Sequence, residues 1–79
     1  MKTYAVAIFN HLDGHNRLVI VNATDEVDAA KKALIEQQEE KYRTSEYVDW
    51  VNGLGTTLDE VDENAAQGEL CISNVITLN

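Results

Sequence analysis

The 79-residue sequence predicts an α+β domain, a three-stranded antiparallel sheet packed with three helices in the chain order ββαααβ. Three observations carry that prediction. β-Branched, aromatic and small apolar residues gather in Thr3 to Phe9, Arg17 to Val21 and Leu70 to Leu78. Asp13-Gly14 separates the first two of these runs as a hairpin turn signal. Between the second and third runs, apolar residues recur at helical spacing in three short segments. No proline, repeat or low-complexity tract interrupts the chain, so residues 1–79 read as one domain, of a size that buries about 60 % of its unfolded surface.

The first two strands pair antiparallel. With a two-residue Asp13-Gly14 loop, Phe9 faces Leu18, Ile8 faces Val19, Ala7 faces Ile20 and Val6 faces Val21. A three-residue loop changes the pairing but leaves both faces apolar. One face carries Ala5, Ala7, Phe9, Leu18 and Ile20, whose alanines would let a helix approach closely. The other carries Tyr4, Val6, Ile8, Val19 and Val21.

Thr24 is placed to cap the first helix, with Asp25, Glu26 and Asp28 at its positive end. Val27, Ala30, Ala33 and Leu34 form its apolar stripe, and the polar run Glu36 to Lys41 carries it into solvent. A second helix spans about Glu46 to Asn52, with Tyr47, Val48, Val51 and Leu54 inward and Gly53 and Gly55 as its stop. Thr57 to Glu60 fits a capping box for a third helix, whose Leu58, Val61 and Ala65 turn inward and which ends at Gly68. In the closing strand Leu70, Ile72, Ile76 and Leu78 alternate onto one face, interrupted by Asn74. A right-handed return over the hairpin sets this strand beside the first, giving the order 2-1-3.

Three strands lie near the lower limit for a self-sufficient sheet, and the second apolar face needs a cover. That cover is a short helix or another molecule. If it is a second copy, lysine at Val6 or Val21 is the substitution that would break the homodimer.

Charge is divided unevenly along the chain. All six basic side chains (Lys2, Arg17, Lys31, Lys32, Lys41, Arg43) lie in the first 43 residues, against seven acids. The remaining 36 residues hold Glu46, Asp49, Asp59, Glu60, Asp62, Glu63 and Glu69 and no cation, so the formal net charge of −8 belongs almost wholly to the second half. Such a field repels nucleic acid and attracts basic protein surfaces. The lone Cys71, inside an apolar run, reads as a small buried hydrophobe of a reducing compartment. Met1-Lys2-Thr3 leads into a short alternating segment, from which no signal peptide is expected, and no run approaches the roughly 20 apolar residues of a membrane helix. A cytoplasmic chain with no membrane contact is the expectation.

Candidate catalytic and metal groups are few. His11, Asp13 and His15 lie within five residues, but in a two-residue hairpin the imidazoles point to opposite faces, and zinc needs three or four converging ligands. Asp59 to Asn64 resembles a calcium loop only in acidity, lacking its central glycine and closing glutamate. Cys71 is far in sequence from either histidine, and Gly53-Leu54-Gly55 lacks the length and following lysine of a phosphate loop. No catalytic residue, metal or cofactor is expected, and the chain reads as a non-enzyme. Tyr42, Tyr47 and Trp50 interleave with Glu46 and Asp49, and aromatics among acids suit anchors for a basic protein partner. The alternative for Trp50 is the margin of the core.

The passage Val19-Ile20-Val21-Asn22-Ala23-Thr24-Asp25-Glu26-Val27-Asp28-Ala29-Ala30 ends a strand at Ala-Thr-Asp and opens an alanine-bearing helix. In this it resembles small phage-encoded proteins, among them the podophage inhibitor of host RNA polymerase and small phage blockers of host toxins or defence nucleases. The resemblance covers roughly Tyr4 to Tyr42 and transfers no functional residue, while the helices after Glu46 depart from it. It implies a phage inhibitor acting in the host cytoplasm on a host nucleic-acid-handling protein or complex. Taken with the charge, the expected function is DNA-mimic-like occupation of that protein's basic surface through Glu46, Asp49, Trp50, Asp59, Glu60, Asp62 and Glu63. In the third helix, Asp59, Glu60, Asp62 and Glu63 are expected to face outward. The alternative is a homo-oligomeric accessory or structural protein that associates through an apolar sheet face, its acidity serving solubility.

Overall fold

Pairing of the first two strands is set by the hairpin between them. The structure, a computed structural model, describes residues 1–79. Strands β1 (Lys2–Asn10) and β2 (His15–Ala23) are joined by four residues, His11 to Gly14. Asn10 organises the turn: its carbonyl accepts the Gly14 amide at 2.8 Å and its Oδ1 the Leu12 amide at 2.9 Å. Asp13 Oδ1 accepts the His15 amide at 3.0 Å, and Gly14 takes the positive φ of 71° that a side chain would resist. The loop is therefore two residues longer than the Asp13-Gly14 dipeptide alone implies. Ala7 pairs with Leu18, Ala5 with Ile20, Val6 with Val19, Tyr4 with Val21 and Phe9 with Asn16. Because the slip is by two, every side chain keeps the face the sequence assigns to it.

After β2 come α1 (Glu26–Glu36), a single 3-10 turn (Glu40–Tyr42), α2 (Ser45–Asn52), α3 (Leu58–Ala65), a second such turn (Ala66–Gly68) and β3 (Leu70–Thr77). The sheet order is β2-β1-β3, with both neighbours antiparallel to β1. This is the ββαααβ, 2-1-3 arrangement read from the sequence. β2 and β3 are thus parallel, and the chain between them carries all three helices over one face of the sheet.

That face is the Tyr4, Val6, Ile8 face. Together with Val21 and Ala23 of β2 and Leu70 and Ile72 of β3, it packs against Ala29, Ala30, Ala33 and Leu34 of α1, Val51 of α2, Leu54 beyond it, and Val61 and Ala65 of α3. Alanines on α1, not on β1, permit the close approach of helix to sheet. No helix covers the opposite face. Val6 and Val21 accordingly sit in the core, not on the face left for another molecule.

β3 departs from simple alternation. Its register against β1 jumps between Ala7, opposite Asn74, and Ile8, opposite Ile72, so Ser73 is an extra, bulged residue. Leu70 and Ile72 lie on the core face before the bulge, while Val75 turns to that face after it. Ile76 and Leu78, read from the sequence as partners of Leu70 and Ile72, go to the open side.

Helix ends show further local differences. Asp25, not Thr24, is the N-cap of α1: its side chain accepts the Asp28 amide at 2.8 Å. Asp28 in turn accepts the Thr24 amide at 3.0 Å and pairs with Lys32 at 3.1 Å. The Thr24 amide first, and the Lys32 ammonium after it, hold the Asp28 carboxyl below its ordinary range. α1 stops at Glu36 and does not run out into solvent. Gln37 is buried, and Arg43 folds back so that its guanidinium donates to the carbonyls of Glu36 and Gln38 at 2.8 Å each. The missing cation of the last turn is thereby supplied from seven residues on. Thr44 caps α2 through the Tyr47 amide at 3.1 Å, and the Thr57–Glu60 box caps α3.

Candidate functional site

The sheet divides the molecule into two surfaces of opposite chemistry. Its open face carries Thr3, Ala5, Ala7 and Phe9 on β1, Asn16, Leu18, Ile20 and Asn22 on β2, and Cys71, Asn74, Ile76 and Leu78 along β3. None of these residues is charged. Leu18 is 67 % exposed, Ile20 57 %, Ile76 48 % and Leu78 53 %, while Ala5 between Ile20 and Ile76 is buried. Leu18 and Ile20 on one side, and Asn74, Ile76 and Leu78 on the other, thus flank a trough floored by Ala5 and Ala7. Phe9 closes one end, with the His11 ring packed edge-on against it at 4.5 Å between centroids.

Both sheet edges are guarded. The Thr3 carbonyl accepts the Leu78 amide, so the backbone polar groups of Thr3 point to β3 and those of its β2 partner Asn22 point outward. Lys32 Nζ donates to that outward Asn22 carbonyl at 3.0 Å. By the same alternation Ile72 presents its amide outward, and Asp62 Oδ1 accepts it at 2.9 Å. A charged side chain on each edge, with the Ser73 bulge beside one of them, blocks strand addition.

The opposite surface is acidic. Of the carboxylates singled out by the sequence, Glu46 and Asp49 are exposed on α2, one turn apart, and Asp59, Glu60 and Glu63 are exposed on α3. Glu69, also exposed, lies in the turn before β3, where it adopts a φ of 64° and its carbonyl accepts the His11 amide. Asp62 is different. It turns toward β3, not outward, because the Ile72 amide draws it in. Burial first, and then the charge and hydrogen bond of Asp62, push the Cys71 thiol above its ordinary range. Glu60 is exposed but engaged: the Thr57 hydroxyl at 3.0 Å, and the Thr56 hydroxyl at 3.3 Å, favour its ionised form and lower its titration.

None of these carboxylates has an ion-pair partner. The three ion pairs, Asp13–Arg17, Asp28–Lys32 and Glu39–Lys41, all lie in the first half of the chain. Lys31 and Arg43 are bound to backbone carbonyls, Lys31 Nζ reaching that of Asn52 at 3.1 Å.

Trp50 stands at the margin between core and surface. Half-buried, it packs against the core and lies 5.8 Å from Tyr47, centroid to centroid. The Tyr47 hydroxyl donates to the Leu34 carbonyl at 2.7 Å and accepts from Gln37 Nε2 at 3.2 Å. Burial raises its titration. Gly68 explains itself here: a Cβ on it would lie 2.7 Å from Trp50 Cη2. The glycine makes room for the indole, and the left-handed residue that ends the second turn is Glu69 instead. Trp50 and Tyr47 border a groove of about 250 Å³ between the hairpin loop and the end of α1.

No three His, Cys, Asp or Glu side chains converge as a metal site, and no helix is long and apolar enough to cross a membrane. Comparison with known proteins adds nothing to this geometry. No family model, curated protein or solved structure matches the chain.

Proposed function

We propose that this chain is a small acidic binding protein, an inhibitor of the phage type, that occupies the basic nucleic-acid-binding surface of a host protein. The observation that supports this reading is the sorting of charge by the fold. With none on the open sheet face and no ion pair in the second half, the negative charge is displayed by the helical layer and its loops. Carboxylates three and four residues apart on a helix recur about every 5–6 Å, a density able to stand in for backbone phosphates. Glu46 and Asp49 on α2 and Asp59 and Glu63 on α3 are the residues free to do so. Trp50, beside Asp49, offers the exposed part of its ring as an anchor. Glu60 and Asp62 serve chiefly the cap of α3 and the edge of β3.

Immobilised wild-type protein, charged with bacterial lysate, is expected to retain proteins that double-stranded DNA and moderate salt release. The quadruple variant Glu46→Gln, Asp49→Asn, Asp59→Asn, Glu63→Gln, which spares the capping and edge groups, should retain them at least about tenfold less. Equal retention by the variant, indifferent to DNA, would leave the carboxylates a solubility role only.

A further inference from the structure

We infer that the groove between the hairpin loop and the end of α1 seats an arginine side chain of the basic partner protein, a step that rests on the acidic-surface reading above. Two features of the groove itself single out this group. The first is an acceptor in want of a donor. Gln37 lines the groove and is only 8 % exposed, and its Oε1 has no hydrogen-bond partner and is closed to bulk water. The orientation of the amide is fixed. Its Nε2 donates to the Leu34 carbonyl at 3.1 Å and to the Tyr47 hydroxyl at 3.2 Å, and exchanging the two ends would set oxygen against oxygen at Leu34. An acceptor left in this state costs more than an average hydrogen bond returns, and a donor pressed into the groove removes that cost.

The second feature is the lining. Half-buried Trp50 and Tyr47, 5.8 Å apart between centroids, share the groove with Leu12 of the hairpin loop, which is 77 % exposed. A guanidinium is planar, stacks on aromatic faces and gives up its hydration more readily than an ammonium, while its alkyl stem suits an exposed leucine. Charge agrees with this choice. None of the residues lining the groove is charged, so no cation of the chain occupies it. Glu46, Asp49 and Glu69, all exposed and without ion-pair partners, adjoin Tyr47, Trp50 and Gly68 in the chain and place negative charge beside it. A volume of about 250 Å³ gives room for one such side chain.

N-acetyl-arginine methylamide, titrated into isotope-labelled protein and followed by NMR, tests this without the partner. The Trp50 indole N–H and the Gln37 side-chain amide are expected to shift together, with a millimolar dissociation constant, as one cation–π contact and one charged hydrogen bond allow. The lysine and citrulline counterparts should bind at least about fivefold more weakly, citrulline because it keeps the shape and loses the charge. Gln37→Met keeps the length and removes the acceptor, and should weaken arginine at least about fivefold. Leu12→Ala, at an exposed position that leaves folding intact, should weaken it about twofold. Signal dispersion in the same spectra verifies that both variants are folded, and Leu12→Ala with the lysine and citrulline arms decides the matter if Gln37→Met is not. Shifts spread over α2 and α3 with an equal response to lysine overturn the inference, leaving only attraction between opposite charges. So does arginine binding unchanged in the folded variants. Loss of lysate partners by the quadruple carboxylate variant, with no arginine shift at Trp50, would end this inference and leave the acidic-surface reading standing. Arginine bound in the groove with retention unchanged would do the reverse.

Discussion

Val6 and Ala7 are neighbours on β1, and the sheet sends them to opposite environments. Val6 is fully enclosed beneath the helices, while Ala7 lies in the floor of an open trough. The faces they belong to are both apolar, and strand alternation alone gives neither precedence. What separates them is the route of the chain. β2 and β3 are parallel, so the segment between them must cross β1, and three helices follow on one side. Helix, cap and edge contacts all serve that side, leaving the other bare. A bare apolar face on a three-stranded sheet is thus a consequence of topology and length, since a chain this short has no further element with which to cover it.

The contrast can be broken first at the margin of the covered side. Trp50→Ala removes a half-buried indole that bridges Tyr47 and Gly68. It should cost about 2–3 kcal/mol, less than the about 3–5 kcal/mol of a fully buried ring, because part of the ring already meets water. Urea denaturation measures the loss. A change under about 0.5 kcal/mol would move Trp50 from the core's margin to a purely contacting role.

A smaller effect sharpens the account of the edges. Asp62→Ala leaves the Ile72 amide without its carboxylate and should cost about 1–2 kcal/mol by the same measurement. It should also lower the thiol pKa of Cys71, seen as faster alkylation at mildly alkaline pH, because a charge and a hydrogen bond that oppose the thiolate are removed. Unchanged stability and unchanged alkylation would show that the edge of β3 is not held by Asp62.

Much of this was legible in the residues. Strand and helix segments follow periodicity, and the capping box at Thr57 and the inward stripe of Val51, Leu54, Val61 and Ala65 fall where spacing puts them. Distances beyond a few residues were not legible. The hairpin is longer than Asp13-Gly14 implies because the Asn10 side chain enters the turn. Ile76 and Leu78 change faces because one residue, Ser73, bulges out of register, an event with no signature in alternation. Asp62 looks like one more exposed acid until α3 is set beside the edge of β3. Gly68 reads as a helix stop, yet its requirement comes from Trp50, eighteen positions away. The choice of which apolar face to cover likewise belongs to the assembled topology.

The assignment of the two faces is tested most directly by the same substitution on each. Val6→Lys places an ammonium at a fully buried position and Ile20→Lys places one at a 57 % exposed position on the neighbouring strand, its side chain on the other face. Thermal and urea denaturation of both, at the same protein concentration as wild type, should find Val6→Lys unfolded or weakened by about 4 kcal/mol or more and Ile20→Lys within about 0.5 kcal/mol of wild type. Equal losses, or the greater loss at Ile20, would contradict the division of the molecule into a covered and an open face.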